Sequence, residues 1–538
     1  MADDVERELK AAVDRILASK SRKKLVVAGP GAGKTTLFRE LLDQAAGASG
    51  RRLVLTFIKD LKTDLERSLG DVAKVFTLHG YCQHLLHRHE SLRNGLSADF
   101  RCYPGLASLI KNDWEWLMES KVPKFVDLMR ELNCSSEQDA FYMERANYYD
   151  AVDFDDSVYR TYQQLLGDSS LIPEYELVLI DEFQDFNKME ASVIDLLAER
   201  NSILIAGDDD QALYSQLRGA SWDHIRARYE GGNYEIFELP FCMRCPEVIV
   251  GAVNDVILKA LAVQKLNGRI RKPYRYYEPV KGEDSRRYPK IELVETTVQR
   301  ANANYFGRYI EQCIKAIPEE EVHLAADKGE PAALIIGSNP YRRQVEEHLV
   351  EAGLVTANDE GELSTREEAF EILNQDASSN LGWRIILADG DERIARDVLR
   401  AAVEKCIPLV DVIAADQRAS VLKEAEEWAA KHLAGKESEV DGAVVPMVKV
   451  TSFEGAKGLS AQYVFLIGLH SEEIPRNAAD VQDIEICRFL VGMTRTKKKC
   501  TVLVTKRFGD KFKHRSEFLS WIKPERYEVI KIDANYWK

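Results

Sequence analysis

Residues 24–36, with the sequence KLVVAGPGAGKTT, have the residue types and spacing of a phosphate-binding loop. The apolar run at its start is typical of a short buried strand, and the residues after its last glycine are expected to open a helix. Glycines are required between the two because backbone N–H groups must turn inward to approach phosphate oxygens, while the helix N-terminus faces the same anion. The pattern predicts a nucleoside triphosphate site formed by Gly29, Gly31, Gly33, Lys34, Thr35 and Thr36.

Two of these side chains have distinct expected roles. The ammonium of Lys34 is expected against the β and γ phosphates, and the hydroxyl of Thr35 is expected to be a ligand of Mg²⁺. We therefore expect ATP and Mg²⁺ as cofactors.

Carboxylates follow two apolar runs further along the chain, in DEFQD (residues 181–185) and GDDDQ (residues 207–211). Ligands of α/β proteins bind at the carboxyl ends of parallel strands, where these residues are expected to lie. We predict that Asp181 is a ligand of Mg²⁺, that Glu182 is the base that orients the attacking water, and that Gln211 senses the γ-phosphate.

The composition is that of an ordinary globular protein, with 45% hydrophobic and 30% charged residues. At 538 residues the chain is too long for one core and is expected to form about three or four domains. There is no apolar run of about 18 residues, and the acidic, amphipathic start is unlike a secretory signal. Together with nine scattered cysteines, an odd number that fits free thiols, this predicts a cytoplasmic protein with no membrane partner.

The net charge is −15, from 73 basic and 88 acidic residues, so indiscriminate binding to polyanions is not expected. Basic residues are concentrated in two segments, residues 265–290 and 495–515, and tyrosines lie among them in the first segment. Such a mixture suits a nucleic-acid strand, whose phosphates attract cations and whose bases stack on aromatic rings. The alternative is an ordinary solvated surface.

Apolar runs of strand length fall into two sets, each interrupted by a region of helical pattern, residues 91–149 and about 355–440. The first set comprises residues 25–28, 53–57, 74–78, 177–180 and 203–206. The second set begins at Ile236 and continues at residues 291–294, 333–336, 448–450, 464–467 and 502–504. Such runs are typical of parallel strands covered by helices on both faces, so we predict an α/β fold with two parallel, doubly wound sheets.

The motifs resemble, in type and in order, those of superfamily 1 helicases of the UvrD/Rep/PcrA type. They are AGPGAGKT (28–35), TF (56–57), TLHG (77–80), DFDD (153–156), DEFQD (181–185), GDDDQALY (207–214), the Arg244 segment, GAKGL (455–459) and VGMTR (491–495). The resemblance implies two RecA-like P-loop domains, each with a mainly helical insertion, in a short form with a reduced second insertion. The implied division is residues 1–90 and 150–235 for the first domain, 91–149 for its insertion, 236–354 and 441–538 for the second domain, and 355–440 for its insertion.

The resemblance also implies roles for residues outside the phosphate-binding loop. Arg244 and Arg495 of the second domain are expected to reach across the interdomain cleft to the γ-phosphate, and Gly458 is expected at the nucleotide. The transition state of phosphoryl transfer is loose and carries much negative charge. Cations that reach it only when the domains close therefore stabilise it selectively. The positions that match family residues facing single-stranded DNA are Thr56, Phe57, His79, Gly80 and Tyr214.

The sequence departs from the family pattern near both sites. Met243 stands where the family has a tyrosine that stacks on adenine, and Ser460 replaces an acid expected to bond the ribose. The segment from Tyr214 to Gly219 lacks the family's tryptophan and is one residue longer. The resemblance therefore does not imply strict selection of ATP over other nucleoside triphosphates.

We expect an ATP-driven single-stranded DNA translocase and helicase, moving 3′ to 5′ by family likeness, with single-stranded or tailed duplex DNA as its partner. The alternative is an ATP-gated nucleic-acid sensor, or a subunit of a nuclease complex in anti-phage defence, that does not unwind processively. A P-loop kinase is a third class of function, and it is disfavoured because a kinase needs no second core that delivers Arg495.

Overall fold

The computed structural model describes residues 2–45, 49–118, 120–214, 218–355, 364–432, 447–533 and 535–537. Two parallel sheets of six strands each form the centres of two domains. Among the described residues, no helix combines the length and the apolar character needed to cross a membrane.

The first sheet contains six strands in the order β3-β2-β4-β5-β1-β6. They are β1 (Lys23–Ala28), β2 (Arg52–Thr56), β3 (Lys74–Thr77), β4 (Leu177–Ile180), β5 (Ile203–Gly207) and β6 (Glu235–Leu239). Alternate residues of β1 enter different apolar cores, with Leu25 and Val27 on one face of the sheet and Val26 and Ala28 on the other. Burial on both faces explains why residues 25–28 of this strand are all apolar, whereas Lys23 and Lys24 at its start are partly exposed.

The strand β6 corrects an assignment made from the sequence. The pattern assigns the run that begins at Ile236 to the second core, but β6 pairs in parallel with β1, with Ile236 opposite Leu25. Most residues of β6 are partly exposed, as expected for an edge strand. The chain therefore leaves the first sheet after Leu239, later than the sequence division at residue 236.

Helices flank the first sheet in the alternating order of a doubly wound fold. They are Ala2–Ala18, Lys34–Gln44, Lys59–Leu69, Leu78–Arg88, Phe154–Gly167, Lys188–Arg200 and Asp223–Glu230.

The second sheet contains six strands in the order β9-β8-β10-β11-β7-β12. They are β7 (Ile291–Thr296), β8 (Ala333–Gly337), β9 (Val448–Thr451), β10 (Ala461–Ile467), β11 (Thr496–Thr505) and β12 (Tyr527–Ile532). The helices of this domain are Glu247–Ala262, Glu278–Arg287, Tyr305–Lys315, Glu319–Asp327, Asn339–Glu351, Asp483–Met493 and Glu517–Trp521. Two RecA-like domains with parallel sheets are thus present, as the sequence predicts.

Both insertions are mainly helical. The first contains the helices Glu90–Arg93, Leu106–Met118, Phe125–Arg130 and Ser136–Tyr149, and the second contains Thr365–Gln375, Asn380–Ala388, Glu392–Lys405, Leu409–Val412 and Ala415–His432. Short strand pairs also lie outside the two large sheets: Arg101–Cys102 with Ala151–Val152, Phe241–Cys242 with Arg275–Tyr276, and Arg507–Phe508 with Lys511–Phe512.

The two insertions pack against each other and share one apolar core with the first sheet. Arg384 of the second insertion donates to the carboxylate of Asp113 in the first at 2.8 Å, and both side chains are fully buried. The hydroxyl of Tyr149 donates to the other oxygen of Asp113 at 2.5 Å. The guanidinium of Arg384 also lies 4.5 Å from the ring centroid of Trp116. The second insertion is therefore fastened to the first domain through a buried ion pair.

Candidate active site

The phosphate-binding loop lies between β1 and the helix Lys34–Gln44. Gly31 and Gly33 adopt positive φ angles of 70° and 85°. A Cβ atom on Gly31 would lie 2.4 Å from Cβ of Arg244, and one on Gly33 would lie 2.1 Å from Cε of Met243. Both positions therefore require glycine, for their backbone conformation and for the close approach of the segment that carries Arg244. The N–H of Met243 also donates to the carbonyl oxygen of Gly31 at 2.8 Å.

A cleft of about 740 Å³ opens between the two domains in front of this loop. Most of the residues predicted to bind or hydrolyse the nucleotide line it, and they come from both domains. They are Gly31, Gly33, Lys34, Thr35, Thr36, Asp181, Glu182, Gln211, Arg244, Gly458 and Arg495. Gly29 lies at the back of the loop, where a Cβ atom would meet the ring of Tyr274 at 2.5 Å.

Lys34 is held by carboxylates at the end of β4. Its Nζ lies 2.7 Å from Oε1 of Glu182 and 3.7 Å from Oδ1 of Asp181. Burial opposes the charged forms, but the mutual attraction raises the pKa of Lys34 and, with Lys457, holds the pKa of Glu182 well below its usual range. For Asp181 burial dominates over the attraction of Lys34 and raises the pKa to about 6.

The residues predicted to hold Mg²⁺ have suitable oxygen chemistry. Asp181 follows β4 directly, and its buried Oδ1 accepts no hydrogen bond. Thr35 lines the same cleft. One carboxylate and one hydroxyl suit Mg²⁺, which usually keeps several positions for water and phosphate oxygens. The donor set therefore fits this ion.

Glu182, which lines the cleft, has a backbone conformation that is unusual for a residue other than glycine. Its φ angle is 53°, in the left-handed region, which costs on the order of 1–2 kcal/mol for a residue other than glycine. The amide of Gln184 donates to Oε2 of Glu182 at 2.6 Å and fixes its carboxylate. The strain places a carboxylate where a general base would be needed.

Lys457 is a residue of this site that the sequence analysis did not single out. It comes from the second domain, it is 2% exposed, and its Nζ donates to Oδ2 of Asp185 and, at 2.5 Å, to the carbonyl oxygen of Gln211. The same atom lies 3.7 Å from Oε2 of Glu182. Its position inside the GAKGL motif is a signal that could have identified it, because it directly precedes Gly458.

Gln211, Arg244 and Arg495 meet where the two domains touch. Nη2 of Arg495 donates to Oε1 of Gln211 at 2.9 Å, and Nη1 of Arg244 lies 3.4 Å from the carbonyl oxygen of Thr494. Burial and the neighbouring guanidinium of Arg244 lower the pKa of Arg495 to about 10. Two guanidiniums side by side in a cleft favour an anionic ligand, which would relieve their repulsion.

The five residues predicted to face DNA form a cluster near the end of β2. Thr56, Phe57 and His79 are buried, whereas Gly80 and Tyr214 are partly exposed. The rings of Phe57 and Tyr214 are 5.2 Å apart, and the hydroxyl of Tyr214 donates to the carbonyl oxygen of Glu454 at 3.1 Å. Their role in strand binding stays a prediction.

The two basic segments carry many ion pairs within the chain. In residues 495–515, Lys498 lies 3.1 Å from Glu321 and Lys499 lies 2.6 Å from Glu292. In residues 265–290, Arg269 and Lys272 pair with Asp210. These four cations are paired within the chain, and the strand-binding interpretation of the two segments stays a prediction.

Comparison with known proteins agrees with this arrangement. The family model described as the UvrD/REP helicase N-terminal domain matches residues 9–137 and 129–230. The ATP-dependent DNA helicase PcrA of Staphylococcus epidermidis (strain ATCC 35984) is 25% identical over 386 residues, covering 61% of this chain and 48% of the relative. PcrA of Staphylococcus aureus (strain Mu50) is 24% identical over 330 residues, with 50% and 43% covered.

A probable DNA helicase II homolog of Mycoplasma genitalium is 24% identical over 291 residues, covering 45% of this chain and 41% of the relative. The chain thus spans just under half the length of the curated relatives that it matches. The matched family model, the two parallel sheets and the order of the motifs give the same assignment. The first part of the chain thus matches the UvrD/REP helicase family model, and the chain is similar to superfamily 1 helicases of the UvrD/Rep/PcrA type.

Proposed function

We propose that this chain hydrolyses ATP in the interdomain cleft and uses the cycle to move along single-stranded DNA and unwind duplex DNA. The observation that carries the proposal is that Lys34 of one domain and Arg495 of the other line the same cleft. Such an arrangement is needed if the phosphates of one nucleotide are to draw two domains together.

In this account the phosphates replace Glu182 as the partner of Lys34. Glu182, released from that ion pair, accepts a hydrogen bond from the attacking water and takes its proton. Asp181 and Thr35 would hold Mg²⁺, which would supply positive charge against the phosphates. Arg244 and Arg495 stabilise the charge that develops on the γ-phosphate oxygens in the transition state.

The contacts of Lys457 suggest how hydrolysis and movement are linked. Its ammonium lies near Glu182 and Asp185, and 5.9 Å from the ring centroid of Tyr214. A shift of the second domain would therefore move this cation relative to both the base and a predicted DNA-facing ring. Closure of the cleft on the nucleotide would thus be transmitted through Lys457 to the predicted DNA-binding residues. The open and the closed cleft are the two states that this coupling connects.

DNA is the proposed substrate because the relatives are named as DNA helicases. We propose single-stranded DNA and tailed duplexes as ligands and movement from 3′ to 5′, on family likeness.

Strand release on duplexes with a 3′ or a 5′ single-stranded tail tests the proposal, with all four nucleoside triphosphates compared. We expect ATP hydrolysis that is stimulated by the tail, together with release of the strand from the 3′-tailed duplex. Stimulated hydrolysis without strand release from either duplex would contradict unwinding and favour the sensor function. Release from the 5′-tailed duplex alone would contradict the direction.

A further inference from the structure

Three consecutive carboxylates, Asp208, Asp209 and Asp210, surround one buried ammonium. Nζ of Lys272 lies 2.7 Å from Asp208, 2.8 Å from Asp209 and 2.8 Å from Asp210. The side chain of Lys272 is 2% exposed. Burial opposes its charge, but the three carboxylates raise the pKa of Lys272, so it remains an ammonium at neutral pH.

The cluster is neutral when its other cations are counted. Arg269 donates to both oxygens of Asp210 at 2.7 and 2.8 Å, and Arg226 donates to Asp209 at 3.0 Å. The carboxylates lie close enough to hold a metal ion, with ligand atoms within 4.8 Å of one another. The ammonium of Lys272 already fills that position. The cluster is therefore an internal salt bridge network rather than a metal centre.

The cluster reaches the hydrolytic site through a single carboxylate. Oδ1 of Asp208 is bound by Lys272, and Oδ2 accepts a hydrogen bond from Nε2 of Gln211 at 2.8 Å. Because the amide nitrogen of Gln211 faces Asp208, its oxygen must face the other way. That oxygen accepts the hydrogen bond from Arg495. The orientation of this amide is thus selected from both sides, by the charged Asp208 as acceptor and by Arg495 as donor.

We propose that Lys272 is a positioning residue of the hydrolytic site, which keeps Asp208 charged and thereby holds the Gln211 amide with its oxygen towards Arg495. The inference rests on the proposed function. Without the ammonium, three buried carboxylates face two guanidiniums, and Asp208 has no cation of its own. Asp208 then takes up a proton more readily, and a protonated carboxyl group can donate to the Gln211 oxygen as well as accept from its nitrogen, so it no longer selects one of the two amide orientations.

The test compares ATP hydrolysis and nucleotide affinity in wild type, Lys272→Met and Gln211→Ala. Because Lys272→Met leaves an unbalanced buried carboxylate and is expected to destabilise the fold, a second variant, Lys272→Met with Asp209→Asn, restores charge neutrality. Asp209→Asn alone is its control. Lys265→Met is the matched control, since Lys265 is in the same segment but its 3.2 Å ion pair with Asp480 lies at the surface.

For the neutral double variant we expect kcat to fall about tenfold with KM for ATP nearly unchanged, because the Gln211–Arg495 contact acts mainly in the transition state. Adding the same pair of changes to Gln211→Ala should change kcat by less than about twofold, because positioning acts through Gln211. If Lys272 had only a structural role, the same pair of changes would lower kcat in the Gln211→Ala background by as much as in the wild-type background.

Two results overturn the inference while leaving the proposed function intact. In the first, the double variant Lys272→Met with Asp209→Asn folds and keeps the wild-type kcat, although Gln211→Ala lowers kcat. In the second, adding the two changes to Gln211→Ala lowers kcat by the same factor as in the wild-type background. Wild-type protein that binds but does not hydrolyse any nucleoside triphosphate would overturn the proposed function, and the inference with it.

Discussion

Arg495 of the second domain donates a hydrogen bond from Nη2 to Oε1 of Gln211 in the first domain, over 2.9 Å. The bond joins the two lobes on the wall of the cleft that Lys34 also lines. A nucleotide bound there would contact both domains at once. The hydrogen bond between Arg495 and Gln211 therefore links hydrolysis at the phosphates to the relative position of the two domains.

Replacing Arg495 with alanine should depress turnover far more than binding. We expect kcat to fall by about 10²–10³-fold, because a cation that stabilises transition-state charge is removed, while nucleotide affinity changes little. Steady-state hydrolysis and titration with a fluorescent nucleotide separate the two effects. An equal loss in affinity and no loss in kcat would assign Arg495 to ground-state binding instead.

Glu182→Gln and Lys34→Ala should both abolish DNA-stimulated hydrolysis, but for different reasons. Glutamine cannot accept the proton of the attacking water, so Glu182→Gln should still bind ATP. Lys34→Ala removes a phosphate contact and should also weaken binding. Hydrolysis and binding measured in parallel check this difference, and near-normal turnover in either variant would remove the active site described above.

The buried pair between the insertions should make a large contribution to stability. Arg384→Met leaves the buried carboxyl group of Asp113 without its guanidinium partner, so we expect a loss of about 3 kcal/mol from the unfolding free energy of that region. Asp113→Asn with Arg384→Met should lose less than the sum of the single changes. Arg366→Met, which breaks exposed pairs with Asp389 and Glu424, is the control and should cost under about 1 kcal/mol.

Denaturant unfolding, detected by limited proteolysis of the insertions, measures these changes in the unfolding free energy. Additive losses in the double variant would show that the two side chains do not act as a pair.

Stability should decline from mildly acidic to mildly alkaline pH through two buried carboxyl groups. Burial, with repulsion between the two, raises the pKa of Asp153 to about 7, and burial raises that of Asp156 to about 6, both from 3.8. Because the folded state binds these protons more tightly, the stability they contribute is present below pH 3.8 and is lost as the pH rises through 6 and 7.

Asp153→Asn should flatten this decline by about 2–3 kcal/mol between pH 5 and 8, because asparagine cannot ionise and still caps the helix Phe154–Gly167. Unfolding curves across that range test the prediction. An identical decline in both proteins would rule out Asp153 as its source.

The fold could be predicted from the sequence wherever strands are buried on both faces. The strands β4 and β5 are apolar throughout and were expected within one residue of where they lie. The edge strand β12 has mostly exposed or partly exposed residues and gives no apolar run, so its sequence, YEVIKI, carried no signal. The start of β11 was hidden in the same way, because Lys497, Lys498 and Lys499 pair with carboxylates at the sheet surface.

The nucleotide residues could be predicted because local motifs specify them, with phosphate-binding glycines and carboxylates following strands. Lys457 could have been singled out by its place in the GAKGL motif, but its acidic partners could not be predicted, and Lys272 lies in none of the motifs. Each is a single lysine whose meaning depends on which acidic side chains the folded chain brings to it, across 272 residues for Lys457 and Asp185. Spacing in the sequence contains no record of such long-range pairs.

The most direct test of the central claim is the rate of ATP hydrolysis by the wild-type chain with and without single-stranded DNA. The account predicts a rate that rises about tenfold or more when DNA is added, because strand and nucleotide both act on the closure of one cleft. A rate that is independent of DNA at saturating ATP would contradict it.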